Sequence, residues 1–86
     1  MPSVKGAIRS INLYETFCCV KFLKTDDTTQ YFLLWSYGTG AQEDNAKNRL
    51  LHGMYLSMAR DAFLHNRTAT FTHNDGSSLV TSFIVE

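Results

Sequence analysis

Apolar and polar positions along the 86-residue chain fall mostly into short runs with a period of two, interrupted once by a long run with a period near 3.6. The long run covers residues 43–65 and predicts a single amphipathic helix. Leu50, Leu51, Met54, Tyr55, Met58, Ala59 and Ala62 share one side of the wheel and are expected to face a core. Arg49, Gly53, Ser57 and Arg60 fall opposite, where solvent is expected. Leu56 and Phe63 sit beside the main stripe and widen it past what one small sheet covers. That width predicts a second buried surface such as a subunit contact; the plainer expectation is one broad core. Asp44 or Asn45 is the expected N-terminal cap, with Glu43 and Asp44 favoured near the positive end of the helix dipole. His65, Asn66 and Arg67 are the expected stop, since Asn tolerates a left-handed backbone. Gly53 in mid-helix costs about 1 kcal/mol relative to Ala, and close approach of another backbone is one reason to keep it.

The remaining runs read as five strands. In residues 3–14, Val4, Ile8, Ile11 and Leu13 do not keep one parity, which predicts a bulge, and Gly6 marks a sharp bend. Residues 16–24 place Cys18, Val20 and Phe22 on one face and Phe17, Cys19, Lys21 and Leu23 on the other. A polar turn at 26–29 leads to residues 30–37, a strand apolar on both faces, so one face is core and the other meets something else. Residues 38–42, with Gly38 and Gly40, read as a connection and lack the spacing of a phosphate cradle. Residues 68–73 alternate up to a hairpin turn at Asn74, Asp75, Gly76 and Ser77, and residues 78–85 close the chain. Three strands, a helix and two strands give the order of the OB-fold, a five-stranded Greek-key barrel with its helix between the third and fourth strands. The expected fold class is therefore mainly β with one helix, an OB-fold-like single domain over residues 1–86. An α+β sheet with a helix across one face, or a split barrel, are the alternatives.

Charge narrows the function. Eight basic and eight acidic residues balance, which leaves no general field for polyanions and disfavours nucleic acid. No apolar run is long enough to span a bilayer. No signal pattern opens the sequence, so the chain as written is expected in the cytoplasm, or outside the cell if a signal peptide had been removed from it. Cys18 and Cys19 are neighbours in a strand and should point to opposite faces, which argues against a disulfide between them and for apolar thiols. With His52, His65 and His73 scattered, no metal-ligand spacing results, and neither metal nor cofactor is expected. Each His reads as a surface or boundary residue. No local grouping supplies a nucleophile, a base and an orienting group, so catalysis is not expected. Asn66-Arg67-Thr68 matches a glycosylation acceptor, read as accidental without a secretory signal.

Several residues in order resemble the B subunit of Shiga-type toxins: Gly6-Ala7-Ile8, Thr16-Phe17 through Val20-Lys21-Phe22, Trp35 before the helix, the Leu-rich start of the helix, Thr70-Phe71-Thr72 and Ser82-Phe83-Ile84. Members of that family are OB-fold pentamers that bind cell-surface glycans, with their helices lining a central pore. The resemblance implies a homo-oligomer, with the ring size left open, and gives Leu56 and Phe63 a place in subunit packing. It also implies a non-catalytic, carbohydrate-binding role. For glycan binding the candidates are Trp35 and Tyr37, as surfaces for the C–H faces of sugars, with Asn74 and Asp75 as hydroxyl partners. Core packing for Trp35 and turn formation for Asn74 and Asp75 are the plainer expectations. Arg9 and Lys21 are candidates for an anion site. The second functional reading is an intracellular OB-fold module for a protein partner or single-stranded nucleic acid, with Phe17, Tyr31 and Phe32 available to stack bases.

Overall fold

A computed structural model of the chain describes residues 2–37 and 42–86. Its elements are β1 (Ser3–Leu13), β2 (Phe17–Lys24), β3 (Thr29–Ser36), α1 (Ala46–Leu64), β4 (Thr68–His73) and β5 (Val80–Val85). Most of the expected connection at 38–42 lies outside the described residues. Gln42 is described, and it is tied back to the end of β3: its N–H donates to the Ser36 carbonyl and its Oε1 accepts from the Ser36 N–H, both at 2.9 Å.

The protein is mainly β, with all five strands in one antiparallel sheet in the order β3-β2-β1-β4-β5. The sheet curls until its two outer strands touch. Leu33 of β3 and Leu79 just before β5 form one parallel bridge, with the Leu33 N–H donating to the Ser78 carbonyl at 2.9 Å. No ladder follows from that bridge, so the sheet is not closed into a barrel.

Curvature comes from irregularities at defined residues. The β1–β2 register shifts between Ile8 and Ser10, leaving Arg9 as the extra residue that the broken parity of the sequence predicted. Three residues before the bulge, Gly6 passes so close to β2 that a Cβ there would run into the Leu23 carbonyl oxygen. A second shift, between Cys18 and Cys19 on β2, sets Cys18 opposite Trp35 and Cys19 opposite Leu33. Leu34 is then extra, and Leu34 and Trp35 are consecutive yet both buried.

Inside the curl, Phe71 is the hub of an aromatic core. Its ring lies 4.6 Å from Phe22, 5.3 Å from Phe32 and 4.7 Å from Phe83, the last nearly perpendicular, the edge-to-face contact that the ring quadrupole favours. Ile8, Cys18, Val20, Leu34, Ala69 and Val80 fill the rest. The small side chains Ala59 and Ala62 let α1 settle directly on this layer.

The helix begins where Asn45 caps it, its side chain accepting the Asn48 N–H at 2.8 Å. It ends as expected at Asn66, left-handed with φ of 51°, where the Arg67 N–H reaches back to the Ala62 carbonyl at 2.9 Å in a Schellman-type closure. Its orientation differs from expectation. The buried residues are His52, Ala59 and Ala62, with Tyr55, Leu56 and Met58 half-buried. The helix is therefore rotated by roughly a fifth of a turn from the side with most carbon, and Leu50, Leu51 and Met54 are 71%, 44% and 58% exposed. Arg49, Gly53, Ser57 and Arg60 do face solvent. Nothing lies within 4 Å of where a Gly53 Cβ would be, so no backbone approaches there. Among the described residues, no helix is long and apolar enough to cross a membrane.

Candidate functional site

The bulge at Leu34 is what builds the site. By turning Trp35 inward, it brings the indole against α1 instead of the outer face that strict alternation would give. His52 meets it there, stacked 5.6 Å away with 10° between the ring planes. Tyr37, one residue past the end of β3, completes the group: its Oη is 2.6 Å from His52 Nδ1. Arg49 lies over the Tyr37 ring at 5.6 Å, a cation–π distance, and its Nη2 donates to Asp44 Oδ2 at 2.8 Å. That donation holds the exposed Asp44 carboxyl below its usual pKa. His52 is 2% exposed, and burial pushes its pKa below the ordinary value of 6.5.

These residues form one wall of a cleft of about 340 Å³, with Tyr14 and Glu15 of the β1–β2 turn opposite. Tyr14 stacks on Phe17 at 4.5 Å and still keeps 52% of its surface exposed. The cleft thus offers one open aromatic face, Tyr14, one half-buried one, Tyr37, and exposed charges of both signs, Glu15 and Arg49. Leu13 and Leu56 lead from it into a second, apolar groove of about 620 Å³ beside Phe63 and Leu64.

The residues expected from sequence divide accordingly. Trp35 and Tyr37 share the cleft, but Trp35 is only 8% exposed and its stacking partner is His52, so it is a wall and not a free platform. Asn74 and Asp75 are exposed in the β4–β5 turn, where the Asn74 carbonyl accepts from the Ser77 N–H at 3.1 Å. Pairing places that turn beside the start of β1, through Ser3 and Thr72. The cleft lies at the other end of β1, where Leu13 pairs with Cys18 and Cys18 with Trp35. The two pairs do not make one site. Leu56 is half-buried against the core and Phe63 is 45% exposed in the groove. Of the residues considered for stacking bases, Phe32 is fully buried in the core and Phe17 is taken by Tyr14, which leaves Tyr31 exposed. Cys18 is buried and Cys19 half-buried, both free thiols.

His52, Arg49, Tyr14 and Glu15 escaped the sequence reading. For His52 a signal existed, because positions 52, 55, 59 and 62 repeat at helical spacing and two of them are alanines that suit close packing. Among the described residues, no three His, Cys, Asp or Glu side chains are grouped to hold a metal ion. Comparison of the chain with protein-family models, curated proteins and solved structures found no match in any of the three.

Proposed function

We propose that the chain is a non-catalytic binding module that assembles with copies of itself and takes carbohydrate in the cleft beside Tyr14. The observation that carries this reading is the misfit between α1 and its own core. One flank of the helix is buried, yet Leu50, Leu51 and Met54 stand in solvent on another. Isolated exposed Leu side chains are ordinary, but a stripe of three on adjoining turns is the kind of patch that marks a protein contact. Zero net charge opposes no contact between copies. A ring of such helices is what the resemblance to Shiga-type B subunits implies.

The fold proposed with it is an OB-type barrel. The strand order and the parallel touch of Leu33 and Leu79 support it, because in that fold the last strand returns beside the third. Carbohydrate fits the cleft for reasons of chemistry. The open Tyr14 ring suits the C–H face of a sugar, and Glu15, Arg49 and the Tyr37 hydroxyl offer acceptors and donors for its hydroxyls.

Trp35 is the only tryptophan, so its fluorescence reports on the cleft alone. A glycan array followed by fluorescence titration of each hit tests the assignment. The expected result is a saturable change in Trp35 emission that is lost in Tyr14→Ala and kept in Asn74→Ala. Hits that leave Trp35 emission unchanged, or that survive Tyr14→Ala and vanish with Asn74→Ala, would move the site to the other end of β1. An array without hits would remove the carbohydrate.

A further inference from the structure

Pairing between β1 and β4 stops at Ala7, while pairing between β1 and β2 continues to Leu13. From Ile8 onward β1 therefore has an edge with no strand beside it. The Tyr14 N–H donates to the Phe17 carbonyl at 2.9 Å and closes the β1–β2 turn. Counting back in twos, Asn12 and Ser10 bond to β2, and the N–H and C=O groups of Ile11 and Leu13 point to the open edge. That edge runs along the apolar groove of about 620 Å³, whose opposite wall is Leu56, Arg60, Phe63 and Leu64 of α1.

The geometry points to a docking site for a short extended peptide with apolar side chains and a carboxylate, added to β1 as an extra strand. Each part of that description answers a feature of the groove. Outward N–H and C=O groups on Ile11 and Leu13 call for main-chain partners, which an extended peptide supplies and a helix does not. Apolar walls call for side chains that lose water gladly, which a sugar lacks. Arg60 is the only charged residue lining the groove, and it makes no ion pair among the described residues. Its planar guanidinium matches a carboxylate. The helix rises about 12 Å between Leu56 and Leu64, room for about three or four extended residues. This site depends on neither the sugar cleft nor assembly through Leu50, Leu51 and Met54, and it gives to the peptide the Leu56 and Phe63 surface that the resemblance would assign to subunit packing.

The probe is a synthetic pentapeptide of alternating valine and threonine with a free C-terminal carboxylate. The readout is amide hydrogen exchange by NMR on the full chain, with affinity from the same titration. Saturating peptide is expected to slow exchange at Ile11 and Leu13 at least threefold. Amidating the peptide, or Arg60→Gln, is expected to weaken binding about fivefold, the scale of one exposed ion pair. A proline at the centre of the peptide should abolish it. Unchanged exchange at both amides under millimolar peptide would overturn the proposal, as would equal affinity for the acid and amide forms. Protection of Ile11 and Leu13 that appears without peptide and grows with protein concentration would assign the edge to a second copy instead, and would overturn it too.

Discussion

His52 lies flat against Trp35, with 10° between the rings and 5.6 Å between their centres. The contact fastens α1 to the end of β3, and it makes the fold sensitive to pH. Burial lowers the His52 pKa below 6.5, so in the window below 6.5 the unfolded chain holds a proton that the folded chain resists. Stability from this residue is complete above about pH 6.5 and declines as pH falls toward the folded value. Urea midpoints at pH 7.5 and pH 5.5 check it: the wild type should lose stability at the lower pH, and His52→Phe should lose distinctly less. Equal losses in both would assign the pH effect elsewhere.

Gly6 and Gly53 should respond to alanine in opposite directions. At Gly6 the new Cβ meets the Leu23 carbonyl oxygen, backbone that yields only if β1 and β2 separate, so a loss of about 3 kcal/mol is expected. At Gly53 the space is open and helix propensity alone predicts a gain of about 1 kcal/mol. Chemical denaturation of both variants decides; a destabilised Gly53→Ala would show that something packs on that side of α1.

The adjacent thiols should differ sharply in reactivity. Burial, with a smaller contribution from Cys19, pushes the Cys18 pKa up to about 11, so at pH 8 about one molecule in a thousand carries the thiolate even before access is considered. Cys19 is half-buried on the other face of β2. Iodoacetamide labelling of native protein, read by mass spectrometry, should modify Cys19 first and Cys18 only on unfolding. Labelling of both at similar rates would contradict the placement of Cys18.

Much of this architecture was legible because local rules coincided with tertiary ones. The alternation of β2 and β4, the turn at Gly76 and the left-handed stop at Asn66 each act over a few residues and stand where sequence placed them, and the cap is Asn45, one of the two residues expected. The bulge in β1 was legible for the same reason, since Val4, Ile8, Ile11 and Leu13 break parity on their own. That Trp35 packs inward was the plainer expectation, but the device that turns it there was not legible. It depends on Leu34 being extra opposite β2, a property of two strands together. The rotation of α1 was legible only in the spacing of positions 52, 55, 59 and 62, because a wheel counts His52 as polar and cannot see the indole and the Tyr37 hydroxyl that make its burial favourable. The cleft was hidden further, as Tyr14 and Glu15 of the β1–β2 turn and Arg49 of α1 are far apart in the chain and only the fold brings them together.

Mass in solution, measured by light scattering over a dilution series, decides whether the chain assembles with copies of itself. One chain weighs 9.8 kDa. Self-assembly through the outer flank of α1 predicts a discrete multiple of that mass at micromolar concentration, and a return to 9.8 kDa when Leu50, Leu51 and Met54 are changed together to Ser. Because those side chains are exposed in the single chain, the triple variant should stay folded, each change altering monomer stability by about 0.5 kcal/mol or less. A mass of 9.8 kDa for the wild type at every concentration would contradict self-assembly through α1.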